Sequence, residues 1–305
     1  MKRLDIGKDA INASEISLGC MRISGMNSAE AANLIAVAMD CGIDFFDHAD
    51  IYGGGHSEEV FAIAVKDNKI PRDKLIIQSK CGIRSGFFDF SKEHIIESVE
   101  KSLKRLNTDY LDTLLLHRPD TLCEPEEVAE AFSGLFKQGK VRHFGVSNQN
   151  PGMIKLLSKY VQQPLIINQL QISLTNTGMI DSGLNVNMSN AASVNHDGGI
   201  LEFCRLKDIT IQPWSPFQYG FFNGTFLNND KFPELNKKID EIAEKYNVSN
   251  MAIAIAWLLR HPAKMQPIIG TTNAERVKAI CKASDVELSR LEWYELYRSA
   301  GNILP

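Results

Sequence analysis

Short apolar runs alternate with longer stretches in which apolar residues recur every three or four positions, and the rhythm repeats along the whole chain. The short runs predict eight strands, at 15–19, 43–46, 75–79, 110–116, 141–146, 165–169, 209–213 and 267–269. Their Ile, Leu and Val content is that of strands buried on both faces.

The longer stretches predict helices. Asn27 with Glu30 reads as a capping box, followed by the stripe Ala32, Leu34, Ile35, Val37 and Ala38 and a stop at Gly42. Ile95, Ile96, Val99, Leu103 and Leu106 form a second stripe. Pro125 suits the first turn of a helix over 126–137, with Gly139 beyond its end. Further helices are expected at 153–160, 199–206, 235–246, 250–260, 274–283 and 287–299. Eight strand-then-helix units argue for α/β architecture, a closed (β/α)8 TIM barrel spanning 1–305 as one domain, with extra C-terminal helices. Residues 2–11 read as an N-terminal β-hairpin that could plug the barrel bottom. The segment 172–198, rich in Asn, Ser and Gly, breaks the rhythm; it reads equally as a substrate lid or a variable surface excursion.

Composition narrows the function classes. A formal net charge of -4 gives no reason to expect nucleic acid or an anionic membrane as partner. The longest apolar stretches are too short to span a bilayer, and the N-terminus lacks the apolar core of a signal peptide, so a cytoplasmic protein is expected. Six cysteines show no CxxC and no metal-type spacing, as in a reduced compartment.

In a barrel, the C-terminal strand ends meet around one opening, and this chain places polar residues there repeatedly. The second strand leads into Asp47-His48-Ala49-Asp50-Ile51-Tyr52-Gly53 and then Gly54-Gly55, which is expected to be a flexible loop. The third ends in Ser79-Lys80, the fourth in His117-Arg118, the fifth in Ser147-Asn148, the sixth in Asn168-Gln169 and the seventh in Trp214-Ser215. A lysine closing an apolar run is costly to bury unpaired, and Asp47 is its evident partner.

This arrangement resembles the aldo-keto reductases over essentially the whole chain. Their Asp, Tyr, Lys and His tetrad is matched in order and position by Asp47, Tyr52, Lys80 and His117. The stretches Gly139–Asn148 and Trp214-Ser215-Pro216 resemble family signatures. The resemblance implies carbonyl reduction by NADPH, with Tyr52 giving the proton. It implies that Lys80 lowers the Tyr52 pKa toward the working range, Asp47 orients Lys80 and His117 polarises the carbonyl. No metal is implied.

By the same resemblance, Ser147, Asn148 and Gln169 match the nicotinamide carboxamide site, and Trp214 the aromatic residue stacked on the ring. Ser215, Pro216, Phe217, Gln218 and Gly220 match the segment over the pyrophosphate. Gly19, Cys20, Met21 and Arg22 match the loop at the nicotinamide ribose. Gly270, Thr271, Thr272 and Arg276 match the 2′-phosphate end, where Thr272 with Glu275 reads as a capping box. That end favours NADPH over NADH. It departs from the family in lacking a lysine at Gly270 and in placing apolar Ala279-Ile280 where a Glu-Asn pair often contacts adenine. The chain also ends soon after its last predicted helix, without the long C-terminal loop of some relatives, so its small-molecule carbonyl substrate is left open.

Singly, these residues have plainer readings. Lys80 could be a structural ion pair, His117 a core histidine, Trp214 a core aromatic and Arg276 a solvated surface residue. His48 and Asp50 either pack beneath the site or tune it. A metal-dependent barrel hydrolase is disfavoured by the absence of a His-x-His on the first strand. A cofactor-binding sensor subunit stands as the alternative, against which the intact tetrad counts.

Overall fold

The computed structural model describes residues 1–304. The chain opens with an antiparallel hairpin, β1 (Arg3–Ile6) and β2 (Ile11–Ser14). Gly7 turns it at φ +60, where a Cβ would stand 2.4 Å from the Cβ of Ile166, so only glycine fits. Leu4, Ile6 and Ala13 of the hairpin pack with Phe45, Leu115, Ile166 and Ile167, closing one end of the barrel as the sequence suggested.

The barrel strands are β3 (Ser17–Gly19), β4 (Phe45–Asp47) and β5 (Ile76–Cys81). After a small hairpin of β6 (Ile83–Arg84) and β7 (Phe87–Phe88) come β8 (Leu111–Leu116), β9 (Val141–Ser147), β10 (Leu165–Gln171), β11 (Thr210–Trp214) and β12 (Ile268–Ile269). The eight are parallel neighbours in the order β11-β10-β9-β8-β5-β4-β3-β12. The ring is nearly closed: at its seam the Gln266 amide donates to the Ile211 carbonyl at 3.0 Å.

Helices surround the ring: α1 (Ser28–Asp40), α2 (His56–Asp67), α3 (Lys92–Leu106), α4 (Pro125–Lys137), α5 (Pro151–Tyr160), α6 (Gly178–Leu184), α7 (Ile200–Leu206), α8 (Pro233–Tyr246), α9 (Asn250–Leu259), α10 (Ala274–Cys281) and α11 (Arg290–Ser299). The capping box of Asn27 and Glu30 starts α1, and Pro125 occupies the first turn of α4. The main core lies between these helices and the strands. No helix among the described residues is long and apolar enough to cross a membrane.

Two expectations are corrected, and two stretches gain elements that the sequence pattern did not give. Gly53, Gly54 and Gly55 are not a flexible loop: they form a 3-10 turn with Tyr52, all three glycines at positive φ. That turn leads straight into α2, which the strand-helix reading passed over. The segment 172–198 contains α6 and a 3-10 turn, Ala191–Ser193. The Tyr297 hydroxyl of α11 ties α6 down by donating to Asp181 at 2.6 Å. Finally, the cap of α10 is Asn273, whose Oδ1 accepts from the Arg276 amide at 3.0 Å. Thr271 Oγ1 accepts from the Asn273 amide, and Glu275 pairs with Lys278 at 2.8 Å, so the Thr272–Glu275 box does not form.

Candidate active site

Three neighbouring strand ends bring four side chains together. Asp47 ends β4, Lys80 is next to last in β5 and His117 follows β8; Tyr52 enters from the turn after β4. Lys80 is fully buried. Its Nζ donates to Asp47 Oδ2 at 2.8 Å, to the His48 carbonyl at 2.7 Å and to the Tyr52 hydroxyl at 3.0 Å. All three ammonium protons therefore have acceptors, which makes burial of this charge tolerable. Burial pulls its pKa down, but Asp47 and Tyr52 outweigh that and hold it above the ordinary lysine value.

Tyr52 behaves differently from the sequence expectation. Burial raises its pKa more than the Lys80 charge lowers it, so the phenol stands above its usual value of 10.0. His117 meets Tyr52 edge-on, with ring centroids 5.9 Å apart. Burial, then the charges of Lys80 and Arg118, hold His117 well below the ordinary histidine range, so its ring is neutral at pH 7. Its Nδ1 is buried without a hydrogen-bond partner among the described residues.

Beneath this group lies a polar layer the sequence reading missed. Asp47 Oδ1 accepts from Gln78 Nε2 at 2.6 Å and from Gln169 Nε2 at 3.0 Å. Gln78 also donates to Gln212 Oε1 at 2.8 Å, and Gln212 donates to Gln266 at 2.8 Å. Thr113 donates to Gln78 Oε1 at 3.0 Å. The barrel interior under the site is thus a chain of satisfied amides that fixes the Asp47 carboxylate from below. A second missed set lies outside the ring. Glu58 of α2, fully buried, accepts from Ser79 Oγ and from Arg105 Nε, both at 2.7 Å. It ties the strand carrying Lys80 to α2 and α3. One signal was available: a Ser-Glu-Glu opening a helix against an apolar stripe.

His48 packs beneath the site rather than facing it. It is fully buried, meeting Phe61 edge-on with ring centroids 4.5 Å apart, and burial followed by the Lys80 charge lowers its pKa to about 3. Asp50 is pushed up to about 6, chiefly by burial. Among the described residues, no group of three or more His, Cys, Asp or Glu is placed to hold a metal.

The residues expected to hold a cofactor line the same barrel end. Ser147 Oγ donates to the Gln169 carbonyl at 3.1 Å and accepts from Asn148 Nδ2 at 2.7 Å. Asn148 Oδ1 accepts from the Trp214 indole at 3.2 Å, so Ser147, Asn148 and half-buried Trp214 form one unit. Gln169 is committed through its amide nitrogen to Asp47. Ser215 and Gly220 have φ values of 51 and 57, bracketing a turn that holds buried Pro216 and half-buried Phe217. That turn is tethered: the Gln218 carbonyl accepts from Ser173 Oγ at 2.9 Å, and the Gly220 carbonyl from Gln171 at 2.7 Å. Gln218 Oε1 is buried with no partner among the described residues. Gly19 is half-buried. The Cys20 thiol faces the core, and its amide donates to the Asp47 carbonyl at 2.8 Å. Met21 and Arg22 are exposed, as are Gly270, Thr272 and Arg276, with Thr271 half-exposed.

The sequence model of the Aldo/keto reductase family matches residues 15–299. An uncharacterized oxidoreductase, YcsN of Bacillus subtilis, is 34% identical, with 97% of each chain covered. A 6-dehydroglucose reductase of Agrobacterium fabrum is also 34% identical, with 98% of each chain covered. The crystal structure of an aldo/keto reductase from Klebsiella pneumoniae, in complex with NADP and acetate, superposes with a TM-score of 0.77 at 25% identity, covering 97% of this chain and 94% of that one. The family match over nearly the full length, on a parallel barrel whose mouth gathers Asp47, Tyr52, Lys80 and His117, leads to one assignment: the chain belongs to the aldo/keto reductase family of oxidoreductases.

Proposed function

We propose that the protein is an NADPH-dependent reductase of small aldehydes and ketones, acting as one domain in the cytoplasm, with Tyr52 as proton donor. The observation that carries this reading is the unbroken chain from Asp47 through Lys80 to the Tyr52 hydroxyl, at 2.8 and 3.0 Å. When bound, the reduced nicotinamide supplies a hydride to the carbonyl carbon.

The chain's own residues supply the rest. The raised Tyr52 pKa keeps the phenol protonated at neutral pH, as a donor must be. Once the proton has gone to the carbonyl oxygen, the Lys80 ammonium stabilises the phenolate across 3.0 Å. Asp47, held by two glutamine amides, keeps Lys80 charged and in place. His117, being neutral, can donate a hydrogen bond to the carbonyl oxygen without competing for the proton.

The residues fit a dinucleotide. Trp214 offers a half-buried ring fixed through Asn148, Gln218 Oε1 is a buried acceptor in want of a donor, and two exposed cations stand at the same barrel end, Arg22 just after β3 and Arg276 in the first turn of α10. Gly19, Cys20, Met21, Ser147, Gln169, the turn from Ser215 to Gly220, and Gly270, Thr271 and Thr272 would complete the cradle. The NADP in the Klebsiella structure supports this choice of cofactor. Two titrations, with NADPH and with NADH, followed by a carbonyl panel that includes methylglyoxal, test the reading. Tighter NADPH binding with turnover is expected. Binding without turnover on any carbonyl would instead indicate a sensor.

A further inference from the structure

Arg118 follows His117 at the barrel mouth and has no part in the scheme so far. Its guanidinium stands 5.5 Å from the Trp214 ring centroid and 5.7 Å from that of Phe221. It is about half buried, near enough to Tyr52 and His117 to bear on the charge of both. Burial pulls its pKa down, while Tyr52 raises it.

A cation in that position is normally matched by a carboxylate. The other half-buried arginines, Arg72 and Arg105, follow this rule. Arg72 pairs with Asp112 at 2.8 Å and Arg105 with Glu58 at 2.7 Å. Arg118 has no such partner among the described residues. The acid nearest in the chain, Asp120, is spent on backbone amides: Oδ2 accepts from Phe90 and Oδ1 from Leu122, both at 2.9 Å. Asp47 is spent on Lys80, Gln78 and Gln169. Two aromatic rings therefore support a guanidinium beside the proton donor, and its N–H groups are left to a ligand.

We propose that Arg118 is the anion-recognition residue of the substrate site, and that the preferred substrates are carbonyl compounds carrying a carboxylate or phosphate a few atoms from the reacting carbon. This rests on the reading of Tyr52 as proton donor, since that fixes where the carbonyl lies. A planar anion can take two parallel hydrogen bonds from the guanidinium, which orients the carbonyl toward Tyr52 and His117.

The test compares matched substrate pairs with NADPH: succinic semialdehyde against butanal for the carboxylate, and glyceraldehyde 3-phosphate against glyceraldehyde for the phosphate. The readout is the ratio of kcat/KM, anionic over neutral, in the native protein, Arg118→Lys and Arg118→Met. The native ratio is expected to be at least about 10 for one pair, which identifies the anion. It should fall by about 10- to 100-fold in Arg118→Met, be partly kept in Arg118→Lys, and shrink in high salt. A native ratio near one for both pairs, or a ratio unchanged in Arg118→Met, overturns the proposal. If no carbonyl is reduced, the underlying reading has failed, and calorimetry with succinate and with inorganic phosphate still decides the role of Arg118. Binding of either anion by the native protein that is lost in Arg118→Met supports anion recognition; equal binding by both, or by neither, overturns it.

Discussion

Replacing Asp47 by Asn removes the carboxylate paired with a lysine that has no access to water. The ammonium keeps the His48 carbonyl at 2.7 Å and the Tyr52 hydroxyl at 3.0 Å, but these neutral groups do not offset the charge. Removing one partner of a buried pair costs about 3–5 kcal/mol. Lys80→Met should cost about the same, because it strands the Asp47 carboxylate with only the two glutamine amides on Oδ1. The double variant Asp47→Asn/Lys80→Met leaves no buried charge, so its loss should fall short of the sum by about 2–3 kcal/mol. Urea denaturation of the four proteins at pH 7, read as midpoint and slope, measures this coupling. Strict additivity, or single losses below about 1 kcal/mol, would refute the claim that the pair is mutually dependent and sealed from solvent.

Two further outcomes follow from the surroundings of the site. Asp50 is raised by burial to about 6 from 3.8, so its ionised form is penalised in the folded state. Below about pH 4 both states are protonated and there is no penalty; above about pH 6 it is complete, near 3 kcal/mol at most. Asp50→Asn should therefore raise the urea midpoint at pH 7.5 and not at pH 4, and an equal shift at both would contradict the assigned cause. Tyr297→Phe cuts the hydroxyl bond to Asp181 that anchors α6, so limited proteolysis should cleave within 172–198 faster than in the native chain. An unchanged cleavage pattern would show the anchor to be idle.

The barrel was legible because its strands are buried on both faces and read as short aliphatic runs, from Leu111–Leu116 to Leu165–Gln171. Asp47, Tyr52, Lys80 and His117 were legible because each sits at a strand end or just beyond it, where position alone predicts convergence. The glutamine layer was not. Gln78, Gln212 and Gln266 lie in strands or at the seam, and each is satisfied by a partner far along the chain, which no local pattern encodes. Helix α2 escaped for a different reason. Its cap is a left-handed Gly55 rather than Ser, Asp or Asn, and part of its inward face is polar, with Ser57 and Glu58 buried beside Val60, Phe61 and Ala64. The first residue of α10, Ala274, was read correctly, but its cap was misassigned by one residue because Thr272 and Asn273 are both good caps, and the choice depended on Thr271 bonding the Asn273 amide. The direction of the Tyr52 shift was misjudged because the nearby charge was visible in the sequence and the depth of burial was not.

The central claim is that the Tyr52 hydroxyl delivers the proton, supported by Lys80 across 3.0 Å. Tyr52→Phe removes that oxygen and keeps the ring against His117. The most direct measurement is NADPH consumption with methylglyoxal by native and Tyr52→Phe protein, alongside NADPH affinity. General acid catalysis of this kind supplies about 100- to 10,000-fold, so the rate should fall by at least about 100-fold while NADPH binding changes by less than about threefold. A variant that kept most of the native rate would contradict the account.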